Sequence, residues 1–444
     1  MKWRHPGRVV VAGFAVVTLV GTVLLMLPIS STGAERTGFV TALFTAVSAL
    51  CVTGLVIVDT PTYWSGFGEG VILGLIQIGG LGVMTLASVL ALLLAKRLGT
   101  RMQLFAQAET KALGLGDVRR VVGGVIRLSL AVEAVVAIVL ASRFAFRYDE
   151  PFWQAAYLGV FHAVSAYNNA GFALYSDNLI SFATDPFICV PIMAAVVIGG
   201  LGFPVINEVL RRRHQENRGR RWSLHTRITV YTYGVLLVVG TIGVTLTEWA
   251  NPRTLGPMGV ADKLLVGLFH GVMPRTAGFN SLDLAHFQPT TLLLNDVLMF
   301  IGGGSAGTAG GIKVTTFALL GFVILAEIRG EPTVHVLNRR LPSQVQRQAL
   351  TVALLGVGAV MAGTLSLLAM TSFRLDDILF ETVSAFGTVG LSTGITAKIP
   401  AAGQLVLVAL MFIGRLGPIT MASALALRER PRRYELPEER PVVG

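Results

Sequence analysis

Eight stretches of this chain are long and apolar enough to cross a bilayer, and no other feature limits its fold as severely. They run near Val9 to Ile29, Val71 to Ala95, Val121 to Ser142, Phe187 to Leu210, Ile228 to Thr247, Thr291 to Leu325, Leu350 to Met370 and Gln404 to Leu427. A hydrocarbon core takes about 20 helical residues to cross, and inside it only helices and closed barrels satisfy their own backbone groups. The chain is therefore expected to be an all-α membrane protein with eight transmembrane helices. Of its 444 residues 53% are hydrophobic and 14% charged, which leaves little chain for a large soluble domain. Lys2, Arg4 and Arg8 before an apolar run have the charge order of a signal peptide, but the run has spanning length and we expect it to stay as the first helix.

A net charge of +11 would suit nucleic acid if it lay on one face, but the basic residues form clusters between apolar segments, so no nucleic-acid partner is expected. Besides the first three, these are Lys96, Arg97, Arg101, Lys111, Arg119 and Arg120; Arg211 to Arg213, Arg218, Arg220, Arg221 and Arg227; Arg329, Arg339, Arg340 and Arg347; and Arg428, Arg430, Arg432 and Arg433. All fall on one side of an eight-span topology, which the positive-inside rule makes cytoplasmic, with both termini on it. The other side carries Asp59, Glu69, Asp149, Glu150, Asp177, Asp185, Asp283, Asp376 and Asp377, an acidic face that suits cation entry. Cys51 and Cys189 stand apart in apolar surroundings and support neither a disulfide framework nor a thiolate metal site.

An internal repeat organises the spans. Phe44-Thr45-Ala46-Val47-Ser48-Ala49 recurs as Phe161-His162-Ala163-Val164-Ser165-Ala166, as Phe269-His270-Gly271-Val272-Met273 and as Phe380-Glu381-Thr382-Val383-Ser384-Ala385, at a period of roughly 110 residues. Each run leads to a glycine, at Gly54, Gly171, Gly278 and Gly390. A second echo follows inside the next span: Ile78-Gly79-Gly80-Leu81-Gly82, Ile198-Gly199-Gly200-Leu201-Gly202, Ile301-Gly302-Gly303-Gly304 and Ile413-Gly414-Arg415-Leu416-Gly417. The unit is thus span, re-entrant pore loop, span, and four parallel copies can surround a central pore. Their expected limits are 1–97, 98–213, 214–329 and 330–427, followed by a cytoplasmic tail, 428–444.

The loop endings read Val52-Thr53-Gly54, Asn169-Ala170-Gly171, Thr276-Ala277-Gly278 and Thr388-Val389-Gly390. Carbonyl oxygens aimed at one axis can replace the water around a cation, and glycine tolerates the backbone this requires. The stretches before them, such as Val40 to Ala49 and Trp153 to Ser165, can form short helices whose negative ends attract a cation. One such pair would read as close helix packing by small residues; four in one register read as a selectivity filter.

In the third unit the sixth span is interrupted by Gly302-Gly303-Gly304-Ser305-Ala306-Gly307-Thr308-Ala309-Gly310-Gly311, with Lys313 following. Glycine costs about 1 kcal/mol relative to alanine in a helix, so a broken, mobile segment is expected, either a gate or a static kink. Arg415 lies in mid-span, where it would repel a cation or bind the glycine-rich segment through carbonyls, or simply be held by backbone oxygens as a structural residue. Glu133 could pair with Arg127 or a neighbouring helix, or face a wet crevice, and carries no assigned role. His162, His270 and Glu381 are expected at the starts of the loop helices. No Walker loop, nucleophile elbow or HExxH helix is legible, so no enzyme is expected.

On these residues the sequence resembles the potassium-transporter superfamily that includes the bacterial Ktr and Trk membrane subunits, fungal Trk and plant HKT proteins. The four loop endings, Pro274-Arg275-Thr276-Ala277-Gly278-Phe279, the glycine-rich segment and Arg415 carry the likeness over nearly the whole chain. Without two further N-terminal spans, it is more similar to the KtrB-type subunits than to the longer Trk subunits. The resemblance implies sodium-stimulated, channel-like potassium uptake across a bacterial cytoplasmic membrane, by a homodimer with one pore per protomer. It implies a cytosolic KtrA-type ring that binds nucleotides, and matches Gly302 to Gly311 and Arg415 with an intramembrane gate. Relatives with serine at the first filter glycine favour sodium, so Gly54 implies potassium at the filter. The third loop is one residue shorter between Phe269 and Gly278 than its counterparts, which is expected to leave the filter intact. Transported potassium, with sodium as a second ion, membrane lipid as surroundings and no organic cofactor complete the expectation. A sodium or unselective cation transporter of the same fold, and a non-conducting membrane receptor or scaffold, are the competing readings.

Overall fold

The computed structural model describes residues 6–33, 36–97, 115–214, 222–305, 307–337 and 339–417. Ala306 of the glycine-rich segment, the tail 428–444 and the basic residues Lys2, Arg4, Arg101, Lys111, Arg218, Arg220 and Arg221 lie outside them. The described chain is mainly helical, with one small hairpin of β1 (His335–Val336) and β2 (Arg339–Arg340). Its helices fall into four groups. The first holds α1 (Pro6–Leu25), α2 (Phe39–Leu50), the short α3 (Thr60–Tyr63) and α4 (Gly66–Arg97). The second holds α5 (Leu115–Arg147), α6 (Phe152–Tyr167), α7 (Pro186–Leu201) and α8 (Phe203–His214). The third is α9 (Leu224–Glu248), α10 (Val260–Val272), α11 (Pro289–Phe300) and α12 (Val314–Ile328), and the fourth α13 (Ser343–Met370), α14 (Leu375–Gly387) and α15 (Ala401–Leu416).

Among the described residues, Val122–Arg147 within α5, α9 and α13 are each long and apolar enough to cross a membrane unaided. Their outer faces stay apolar, as at Val135, Ile138, Val235, Leu246, Leu354 and Leu365, while serine, threonine and asparagine side chains such as Ser48, Thr53, Ser165, Asn168 and Asn169 are buried. A soluble domain has the opposite arrangement, so an all-α fold made for lipid is what this distribution fits.

Two expected spans are broken. The interruption of the sixth was legible in its glycines, and α11 indeed stops at Phe300 before α12 begins at Val314. The fourth, read as one span from Phe187 to Leu210, instead bends by 102° between α7 and α8. Gly202 sits at the bend with φ of 88°, and Pro204 has no N–H to offer the carbonyl four residues back, at Gly200. The helix therefore ends with its last carbonyls unclaimed.

The groups close on one another in a ring. The helix before each loop ending packs against a helix of the preceding group: α6 on α4, α10 on α7, α14 on α11, and α2 back on α15. The second glycine echo makes a different packing close, that of the helix after a loop ending on the short helix of the same group. A Cβ added at Gly79 would stand 1.9 Å from Leu50 O, at Gly199 2.0 Å from Tyr167 O, and at Gly414 1.7 Å from Phe386 O. Each of these carbonyls belongs to the residue four before a loop-ending glycine, so the echo lets a span touch the end of a short helix. In the third group the position differs, because Gly302 is packed on Gly310 O. Gly414→Ala is expected to destabilise the fold by roughly 3 kcal/mol, the upper range for overpacking. A lower thermal midpoint in detergent checks this, with Gly74→Ala, a helical position that meets nothing within 4 Å, as the control whose midpoint does not fall.

Candidate functional site

The four loop endings come after the C-terminal ends of α2, α6, α10 and α14, so the negative dipole end of each helix leads into its own ending. Backbone φ is positive at Val52 (57°), Asn169 (60°), Thr276 (67°) and Thr388 (49°), and again two residues later at Gly54, Gly171, Gly278 and Gly390. The residue between stays negative in every copy. This alternation in the sign of φ lets successive carbonyls face one side, the arrangement a dehydrated cation requires.

The endings lie side by side. A Cβ on Gly54 would meet Ala170 O at 2.3 Å, one on Gly171 would meet Gly278 Cα at 2.6 Å, one on Gly278 would meet Val389 O at 2.5 Å, and one on Gly390 would meet Thr53 O at 2.1 Å. First touches second, second third, third fourth and fourth first. The atoms that meet across these contacts are backbone, and the oxygens available in these segments are their carbonyls together with the buried hydroxyls of Thr53, Thr276 and Thr388.

Serine fastens three of the four turns. Ser48 Oγ donates to Leu55 O at 2.7 Å and accepts Gly54 N–H at 3.1 Å; Ser165 Oγ donates to Phe172 O at 2.8 Å; Ser384 Oγ accepts Gly390 N–H at 3.1 Å. Thr53, Ala170 and Val389 N–H each bond the carbonyl five residues back, at 2.8 Å. The third loop lacks that serine and is one residue shorter, and Ala277 N–H reaches back four residues to Met273 O at 3.0 Å. The missing residue is absorbed in the turn, leaving Thr276-Ala277-Gly278 in the common register. The conserved place of serine in three echoes was the signal for these fasteners, and sequence reasoning passed over it.

The glycine-rich segment forms a loop with a tied neck. Gly302 N–H bonds Ile312 O at 2.8 Å, Ile312 N–H bonds Phe300 O at 3.3 Å, and Val314 N–H bonds Gly303 O at 3.0 Å. Its tip takes up the carbonyls freed by the bend of the fourth span: Gly304 N–H to Gly200 O at 2.8 Å and Thr308 N–H to Gly199 O at 3.2 Å. Thr308 Oγ1 lies 3.0 Å from the side-chain amide of Asn169 in either orientation of that amide, and a Cβ at Gly310 would stand 2.0 Å from Thr388 Oγ1. Lys313 Nζ donates to Ala309 O at 2.5 Å. The loop is thus seated directly against two loop endings.

Arg415, 5% exposed, donates through Nη1 to Thr308 O and through Nη2 to Gly79 O at 2.7 Å. Both partners are backbone oxygens and one of them belongs to the glycine-rich segment, so the structure fits carbonyl binding to that segment and a structural arginine held by backbone oxygens alike.

Other polar residues take places the sequence did not reveal. Arg127 bonds Gly123 O and not Glu133, and the acid takes the other reading left open for it, a bond to neighbouring helices. It accepts from Ser129 Oγ at 2.8 Å, Gln77 Nε2 at 3.1 Å and Asn168 Nδ2 at 3.2 Å, which braces the residue before Asn169. His162, His270 and Glu381 lie well inside their helices rather than at the starts, because α6, α10 and α14 begin upstream of the repeat phenylalanine. His162 Nε2 accepts Leu174 N–H at 3.3 Å, and Glu381 accepts Thr393 N–H at 3.2 Å, Thr396 Oγ1 at 2.8 Å and Ser392 Oγ. Both hold the chain leaving the ring.

A family model described as TrkH, a cation transport protein, matches residues 2–432. The chain is 39% identical over 433 residues to the Ktr system potassium uptake protein B of Bacillus subtilis (strain 168), with 97% of this chain and 95% of that protein covered. It is 37% identical over 439 residues to the protein of the same name from Vibrio alginolyticus, covering 98% and 94%. The crystal structure of the potassium transporter TrkH from Vibrio parahaemolyticus matches with a TM-score of 0.74 over 96% of this chain and 86% of that one. At 18% identity that is a likeness of fold alone.

Proposed function

The chain belongs to the TrkH family of cation transport proteins, and from that premise we propose that it takes up potassium through the ring of four glycine-ended loops. One observation carries this reading: the four endings touch in cyclic order, with positive φ at matching positions in each. Potassium leaves its hydration shell for the carbonyls of Val52, Thr53 and Gly54 and their counterparts in the other three loops, and the ends of α2, α6, α10 and α14 favour its charge there. The loop from Gly302 to Gly311, with Lys313 and Arg415, is the barrier seated against that layer. Two relatives named as potassium uptake proteins support the choice of ion.

The same proposal takes the groups as four parallel span, pore loop, span units within 1–97, 98–213, 214–329 and 330–427, making eight spans with bends in the fourth and sixth. Their closed packing supports it. It places the chain in the bacterial cytoplasmic membrane with both termini inside, as a homodimer with a pathway in each protomer. Sodium stimulates uptake, and a cytosolic ring of nucleotide-binding subunits controls the barrier.

Proteoliposomes holding the purified protein are expected to take up rubidium at least about tenfold faster than sodium, the outcome of a filter matched to a weakly hydrated ion. Equal rates for the two ions would reject potassium selectivity. No flux of either ion from inserted protein, together with no rescue of a potassium-uptake-deficient strain at low potassium, would favour a non-conducting receptor.

A further inference from the structure

The side chain of Arg275 has no part in the reading above. It precedes Thr276 of the third loop ending, is fully buried, and among the described residues pairs with no carboxylate. Nη1 donates to Ile301 O at 2.7 Å, while Nε and Nη2 have no partner. A buried, unpaired cation is destabilising by several kcal/mol, and an ionisable group held inside a membrane protein is presumed functional.

Its one partner supplies the function. Ile301 is the first residue beyond α11, where the sixth span breaks, and Ile301 and Ile312 pair at the neck of the glycine-rich loop. Its carbonyl is among those a helix end leaves unclaimed. The guanidinium therefore caps the broken helix at the point from which the glycine-rich loop departs, and it does so from a backbone that enters the ring one residue later. Resting on the proposed filter and barrier, we infer that Arg275 is a positioning residue which couples the two: movement of the loop neck is carried through Ile301 O and the guanidinium to Thr276, and the shape of the third loop ending is carried back. The Thr308 contact with Asn169 links the tip of the same loop to the second ending, so Arg275 fixes the neck while Thr308 fixes the tip.

The test uses the full chain in proteoliposomes, with Ser305→Cys in a Cys51→Ala, Cys189→Ala background as a reporter of the loop. Rubidium flux, rubidium-to-sodium discrimination and the rate of thiol labelling are read together. Arg275→Gln is expected to raise thiol labelling about tenfold and to lower discrimination by a similar factor, since one charged hydrogen bond is lost. Arg275→Lys, which can reach one carbonyl without the fork, is expected to shift both by about threefold. Wild-type labelling and discrimination in whichever variant folds overturns the inference, and failure of both variants to fold overturns it too, leaving a scaffold residue. Labelling is read whether or not ions pass, so a chain that conducts nothing rejects the proposed function without deciding this coupling by default.

Discussion

Arg415→Ala is expected to raise rubidium flux through the reconstituted protein by at least about tenfold, with a ceiling near a hundredfold. Its guanidinium joins Thr308 O of the glycine-rich loop to Gly79 O of the first group, across 107 and 336 positions of sequence. Hydrogen bonds from a charged donor contribute about 1.5–3 kcal/mol each, so losing two weakens the proposed barrier by about 3–6 kcal/mol, and flux stops rising once the loop is mainly withdrawn. Removing a positive charge that is 5% exposed beside the proposed pathway would also lower the repulsion a passing cation meets. Arg415→Lys reaches at most one of the two carbonyls and should fall between. Shortening the loop within Gly302 to Gly311 acts in the same direction, because the tip that occupies Gly199 O and Gly200 O is withdrawn. Flux unchanged by both the alanine substitution and the shortening would remove the barrier from the mechanism.

The helices were legible because apolar length and basic punctuation are local properties, and the four endings because a register repeated four times survives any local ambiguity. The bend of the fourth span was not read, although Gly202 and Pro204 stood two residues apart; weight was given to the echo in which Gly202 sits, and the equivalent Gly82 lies inside a continuous α4. The purpose of that echo could not be read at all. Gly79, Gly199 and Gly414 are required by carbonyls of Leu50, Tyr167 and Phe386, and such collisions exist only once the spans are packed. The misplacement of His162, His270 and Glu381 has a simpler origin: a helix such as Trp153 to Ser165 already begins upstream of the repeat phenylalanine, so a residue just after that phenylalanine falls inside the helix and not at its start. Arg415 was recognised as significant from its charge, but its partners lie in other groups. Residue type announces that a site exists, and distance in sequence hides what completes it.

The ring itself is most severely tested at Gly390. Its φ is +95°, and an added Cβ would stand 2.1 Å from Thr53 O and 3.1 Å from Gly54 Cα. Gly390→Ala therefore combines two effects, the strain of a side chain at positive φ, about 1–3 kcal/mol, and displacement of a carbonyl from the neighbouring ending. Gly394 separates them. It has nearly the same φ, +88°, and a Cβ there meets nothing within 4 Å, so Gly394→Ala carries strain alone. We expect Gly394→Ala to lower the thermal midpoint by a few degrees, as a loss of about 1 kcal/mol does, and to keep rubidium-to-sodium discrimination. Gly390→Ala is expected to lower it further and to bring discrimination close to one, because in the proposed filter the cation would lose the Thr53 oxygen from one of its four sides. Should Gly390→Ala fold and still discriminate as the unaltered protein does, the layer that chooses the ion would have to lie elsewhere. If both alanine variants lost discrimination equally, backbone strain in the fourth loop, rather than closure of the ring from Gly390 to Thr53, would be what selection depends on.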